Sequence, residues 1–118
     1  MNLVELFRHQ IDLQEIPAGQ ALFKEGERGN FMYVLMSGTA EIIVRNRVME
    51  TAEAGTIVGE MGIIDDSARS ATVVAKSVCK FLPIERERFI FLVQQKPEFA
   101  MHVIRVMADR LRRTDAIL

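Results

Sequence analysis

The chain has 118 residues, 49% of them hydrophobic and 26% charged, with a formal net charge of −1. That length supports one domain with a packed core, and the near-zero charge offers no electrostatic footprint for nucleic acid. With no apolar run of the roughly 18–20 residues a membrane helix needs, no signal-peptide layout at Met1–Arg8 and Cys79 as its only cysteine, the chain reads as a cytoplasmic, single-domain protein without a disulfide framework or zinc cluster.

Residues 1–10 carry Leu3, Val4, Leu6 and Phe7 at the spacing of a short amphipathic helix. From 11 to 84 the pattern changes to short alternating or β-branched runs, as in an all-β barrel or sandwich. Eight strands are predicted: Asp12–Ile16, Ala21–Lys24, Phe31–Ser37, Thr39–Arg45, Arg47–Ala52, Thr56–Val58, Arg69–Ala75 and Val78–Pro83. Turn residues separate them, among them Pro17-Ala18-Gly19, Ser37-Gly38, Asn46-Arg47 and Ala54-Gly55. Gly26, Gly29, Gly38 and Gly55 are read as turn glycines that supply positive φ or tight packing, not ligand contacts. Residues 85–118 return to a helical period: Glu85–Gln95 is dense in Phe89, Ile90, Phe91, Leu92 and Val93, a helix against the barrel end. Lys96-Pro97 breaks it, and proline suits the first turn of a last helix running close to the C-terminus.

The most informative stretch is 58–75. Gly59-Glu60 opens it, a short apolar turn of helix follows through Met61-Gly62-Ile63-Ile64, and Arg69 comes nine residues after the glutamate. Ser70-Ala71 leads into the β-branched run Thr72-Val73-Val74. A helix start offers N–H groups to an anion, arginine presents a planar donor fork to phosphate oxygens, and an ionised glutamate accepts from sugar hydroxyls. Taken by itself, Arg69 also fits an ordinary surface pair with Asp65 or Asp66, and Glu60 an acid favoured at a helix N-terminus.

The stretch closely resembles the phosphate-binding cassette of the cyclic-nucleotide-binding domain family, in which Gly-Glu and an apolar turn are followed by Arg-(Ala/Ser/Thr)-Ala-Thr-Val. The resemblance implies an eight-stranded, jelly-roll-like β-roll with a short N-terminal helix and two C-terminal helices, spanning 1–118 as one domain. The implied ligand is cyclic AMP or cyclic GMP, with no metal. Arg69 would hold the cyclic phosphate and Glu60 the ribose 2′-hydroxyl. Gly59, Met61 and Gly62 would bring backbone close to the sugar-phosphate, and Ser70 and Ala71 would line the phosphate side. Ile42 and Met49 match the apolar wall around the purine, and they are equally expected as core. The segment from Pro97 to Asp115 is similar to the dimerisation helix of the family's catabolite-activator members, where Thr114 would contact adenine and Asp115 departs from the family's serine.

Ile104, Met107, Leu111, Thr114 and Leu118 follow an a/d heptad seam, so a parallel homodimer through the last helix is expected. Phe99, Ala100, Val103 and Val106 would dock on the barrel, and Arg105, Arg110, Arg112 and Arg113 would form a solvated rim. The expected function is that of a non-enzymatic sensor, cyclic AMP preferred because of Thr114, that passes binding to a separate effector by moving its last helices. The alternatives are the sensory part of a catabolite-activator-type transcription regulator, and a ligand-free association domain. His9 and His102 neighbour no plausible nucleophile, so an enzyme is not expected.

Overall fold

The fold is arranged around two strands buried on both faces, β3 (Met32–Ser37) and β8 (Cys79–Ile84), which pair antiparallel from Met32↔Ile84 to Ser37↔Lys80. The computed structural model describes the backbone of residues 1–117 and the side chains of residues 1–113. Because strand side chains alternate between faces, Tyr33, Leu35, Cys79 and Phe81 point into the roll while Met32, Val34, Leu82 and Ile84 point out under the helices. This double burial is why both strands are nearly continuous apolar runs.

β1 (Gln14–Ile16) and β6 (Ile57–Val58) flank them, giving a sheet of order β1-β8-β3-β6. The facing sheet has the order β2-β7-β4-β5, from β2 (Ala21–Phe23), β4 (Ala40–Val44), β5 (Arg47–Ala52) and β7 (Thr72–Ala75). Eight antiparallel strands in two sheets, with helices at both ends of the chain, form the expected β-roll. The corner between β3 and β4 requires glycine: Gly38 has φ +95°, and a Cβ there would lie 2.3 Å from the Val78 carbonyl oxygen. Beneath it Cys79 is fully buried, its thiol within 3.2 Å of the Thr39 carbonyl oxygen, and burial raises its pKa.

The helices are α1 (Leu3–Leu6), α2 (Met61–Ile64), α3 (Arg86–Gln95) and α4 (Pro97–Ile117). They build a second core on the outer face of the first sheet, where Leu3 and Phe7 meet Phe99 and Val103 of α4. The Phe99 ring, fully buried, lies edge-on to Phe7 at 6.1 Å and tilted to Phe89 at 5.7 Å.

Several expected boundaries shift for local reasons. The hairpin turn is Arg45-Asn46, closed by Val44↔Arg47, not Asn46-Arg47. Both residues have positive φ, 51° and 65°, as a two-residue hairpin turn with the sheet's own twist demands. β7 starts at Thr72 rather than Arg69, because the Arg69 backbone pairs with a loop instead: its N–H donates to Glu27 O at 2.8 Å and its carbonyl accepts from Gly26 N at 2.9 Å. In α3 only one side packs on the second core, through Phe89, Leu92 and Val93, while Ile90 and Phe91 are exposed.

Phe99→Ala should cost about 3–5 kcal/mol of unfolding free energy, the range for emptying a buried phenylalanine site. Urea denaturation checks this, and a loss below about 1 kcal/mol would mean that α4 does not share the second core.

Candidate functional site

The cassette is a short excursion between β6 and β7, pinned on three sides. Its first residue, Gly59, takes φ +74°, and Glu60 then enters α2 in helical geometry without capping it by its side chain. Gly62 N–H and Ile63 N–H already donate within this turn, to Gly59 O and Glu60 O. At the far end of α2, Arg86 Nε of α3 donates to Ile63 O at 3.1 Å. Asp65 turns back through its Ser67 contacts, which also lower its pKa.

Arg69 is only 7% exposed. Its guanidinium carbon lies 4.2 Å from the centroid of the Phe23 ring, a cation–π stack, and its Nη1 donates to Gly59 O at 3.3 Å. Burial lowers its pKa, opposed by the nearby Tyr33, Glu27 and Glu60, yet an arginine stays protonated across any physiological pH. The Tyr33 hydroxyl is pushed up by burial, with Arg69 pulling the other way. Arg69 Nε is buried and has no hydrogen-bond partner among the described residues. A buried donor left unpaired costs on the order of 1–3 kcal/mol, more for a charged group, and the cassette carries that cost at Arg69.

Three glycines make room for that guanidinium. A Cβ on Gly29 would meet Arg69 Nη2 at 2.5 Å, one on Gly59 would meet Nη1 at 2.7 Å, and one on Gly62 would meet Nη1 at 3.0 Å. Gly29 has no positive φ, so of its two expected roles it fills that of tight packing, against the guanidinium. It also belongs to the lining of an open hollow of about 370 Å³, with Arg28, Asn30 and Asp66.

Glu60, 7% exposed, is the second buried charged residue beside Arg69. Its Oε1 lies 2.9 Å from Arg110 Nη1 of α4. Arg110 therefore does not stand on a solvated rim: its Nε and Nη2 reach Glu50 Oε1 and Oε2 at 3.2 and 3.3 Å, and Nη2 also donates to Ile57 O at 2.7 Å. Burial would pull the Arg110 pKa down, but Glu60 and Glu50 outweigh it and raise it. These contacts join residues at least 50 positions apart, and nothing local in the sequence announces them.

The other expected positions fall in different places. Ser70 is exposed, Ala71 half-buried against the interior core, and Met61 is 38% exposed at the start of α2. Ile42 is buried in the same interior cluster as Phe23. Its cross-strand partner is Glu50, whereas Met49 is the extra residue of a β-bulge, since Ile42↔Glu50 is followed by Ile43↔Val48. Ile42 and Met49 are thus not a cross-strand pair. The Thr114 and Asp115 side chains lie outside the described residues. Among the described residues no group of three or more His, Cys, Asp or Glu is placed to hold a metal ion, and no helix is long and apolar enough to cross a membrane.

The family model for the cyclic nucleotide-binding domain matches residues 13–96, from just before β1 to the end of α3. The chain belongs to the cyclic nucleotide-binding domain family. It is 27% identical over 117 residues to the cAMP-activated global transcriptional regulator of Pasteurella multocida, a match covering 94% of this chain and 56% of that protein. It is 35% identical over 75 residues to a cGMP-dependent protein kinase of Eimeria tenella, covering 64% of this chain and 8% of the kinase. Among solved structures it is similar to the catabolite activator protein of Thermus thermophilus, with a TM-score of 0.77 and 26% identity over 94% of this chain and 60% of that one. The chain thus spans about half the length of the bacterial regulator, and far less of the kinase.

Gly29→Ala tests the cradle. Its backbone geometry admits alanine, so the domain should stay folded while the displaced guanidinium lowers cyclic-nucleotide affinity about tenfold, ~1.4 kcal/mol. Isothermal titration calorimetry beside a thermal melt separates the two effects, and an unchanged affinity would remove Gly29 from the site.

Proposed function

We propose that the chain is a cyclic-nucleotide sensor, with cyclic AMP as its preferred ligand, that converts binding into a rearrangement of α3 and α4. The observation that carries this reading is the buried Arg69 with its unpartnered Nε. A cyclic phosphate would accept from Nε and an Nη, giving Nε the charge-assisted bond that no described residue makes to it. Glu60 would accept from the ribose 2′-hydroxyl. Gly59, Met61, Gly62, Ser70 and Ala71 would line the sugar-phosphate, Ile42 and Met49 the purine, and Thr114 would reach the base from α4. Cyclic AMP is favoured because the resemblance to the Pasteurella regulator, cAMP-activated by its name, runs over 94% of this chain.

The signal would follow from α4 contacting Glu60 through Arg110. A ligand that binds one arrangement of α4 more tightly shifts the population toward it. On the side of α4 away from the second core, Ile104 and Leu111 are exposed, as the expected seam requires, while Met107 packs partly against that core. Leu118 lies outside the described residues. A homodimer through this face is part of the proposal. A second reading, the sensory part of a transcription regulator, is supported by the 56% of the Pasteurella protein that the match covers.

Calorimetry with cyclic AMP and cyclic GMP, on the natural chain and on Arg69→Leu, tests the binding. Removing a charged donor from a buried anion costs on the order of 2–5 kcal/mol, so affinity should fall by tens-fold to thousands-fold. The ligand-free variant should melt no lower than the natural chain, because it loses a desolvated, incompletely paired cation, while stabilisation by added nucleotide should vanish. Normal binding by Arg69→Leu would overturn the assignment.

Sedimentation tests the dimer separately. The natural chain should run as a dimer and Leu111→Glu as a monomer. A natural chain that stays monomeric with and without nucleotide would reject the seam.

A further inference from the structure

We infer that Glu50 is a positioning residue for the sugar site, acting on Glu60 through Arg110. This rests on the reading that Glu60 accepts from a sugar hydroxyl. Glu50 stands on β5 opposite Ile42, on the side that faces the roll, because the bulge at Met49 sets the register there. Its side chain is only 18% exposed and lies between two guanidiniums of α4. One face of Arg110 is held by both carboxylate oxygens, and Arg113 Nη1 reaches Oε1 at 3.2 Å.

A guanidinium is planar, with its five donors in a fixed fork. Engaging Nε and Nη2 with Glu50, and Nη2 again with Ile57 O, fixes the plane and leaves Nη1 directed at Glu60 Oε1. Arg110 therefore meets Glu60 through one nitrogen, end-on. Without the Glu50 charge, the same guanidinium would turn toward Glu60, the other carboxylate beside it among the described residues, and take it in the two-pronged geometry that arginine and carboxylates favour. Both oxygens of Glu60 would then be engaged, and a sugar hydroxyl would have to compete for one. Glu50 thus keeps Glu60 able to accept from a ligand. Since Arg110 and Arg113 sit on α4, it also makes the sugar contact depend on where that helix lies.

The test compares each cyclic nucleotide with its 2′-deoxy analogue by titration calorimetry, using cyclic AMP and cyclic GMP as the parent probes. In Glu50→Gln the affinity for the ribonucleotide should fall about tenfold, ~1.4 kcal/mol, with that for the 2′-deoxy analogue nearly unchanged, so the ratio collapses toward the ratio in Glu60→Gln. A Glu50→Gln ratio equal to that of the natural chain, whether or not both affinities fall, assigns Glu50 a structural role only and overturns the inference. A natural-chain ratio retained in Glu60→Gln overturns the sugar reading of Glu60 itself, and the role of Glu50 with it, while leaving the Arg69 result standing. Should Glu50→Gln fail to fold, Glu50→Asp serves instead. It shortens the reach of the carboxylate to Nε and Nη2 of Arg110, and should move the ratio the same way by a smaller factor; an unmoved ratio overturns the inference.

Discussion

The arrangement of the cassette follows from one energetic constraint: a cation that cannot be neutralised is held out of water. Arg69 keeps its charge, so the fold compensates it piecemeal, with the face of Phe23, the Gly59 carbonyl and the nearby Glu27 and Glu60. Each partner constrains another segment. The Phe23 ring ties β2 to the cassette, the backbone bonds to Gly26 and Glu27 close the β2–β3 loop over it, and glycine is needed wherever backbone approaches the guanidinium. Even so, one nitrogen has no partner among the described residues. A buried cation held this way is a local loss of stability, and on the proposed reading a bound ligand recovers it.

A second constraint acts at the other carboxylate. The family model ends at residue 96, before α4 begins, yet the Glu60 side chain is held from α4 by Arg110. The acid of the cassette is therefore held by a helix that lies outside the family match. The roll's own core lies between the sheets, and α4 packs on the separate core outside them. Helix and roll thus meet through two kinds of contact, an apolar one at Phe99 and Val103 and an ionic one at Arg110.

How much of this was legible in the sequence depended on distance along the chain. The cassette could be read because its acid, arginine and following strand fall within 18 consecutive residues, and β3 and β8 because double burial writes itself as apolar runs. The last helix was legible from Pro97 and its period, down to the division between docking residues such as Phe99 and exposed ones such as Ile104. What could not be read depended on contacts between distant segments. Arg110 looked like one more solvated arginine, because its carboxylate partners lie on β5 and at the start of α2. For Gly29 positive φ and tight packing could not be told apart, because the guanidinium it packs against comes from 40 residues further on. The bulge at Met49, which decides that Glu50 stands opposite Ile42, leaves no local signature either.

Cys79 sits where β8, paired on one side with β1 and on the other with β3, passes under Gly38. Its thiol is fully buried and its raised pKa keeps it protonated, while thiol reagents attack only the accessible thiolate. Alkylation of this lone thiol would have to wait for the central sheet to open. The sequence thereby carries a built-in clock for the opening of the roll, one that motions of α3, α4 or the cassette that leave the sheet closed would not start.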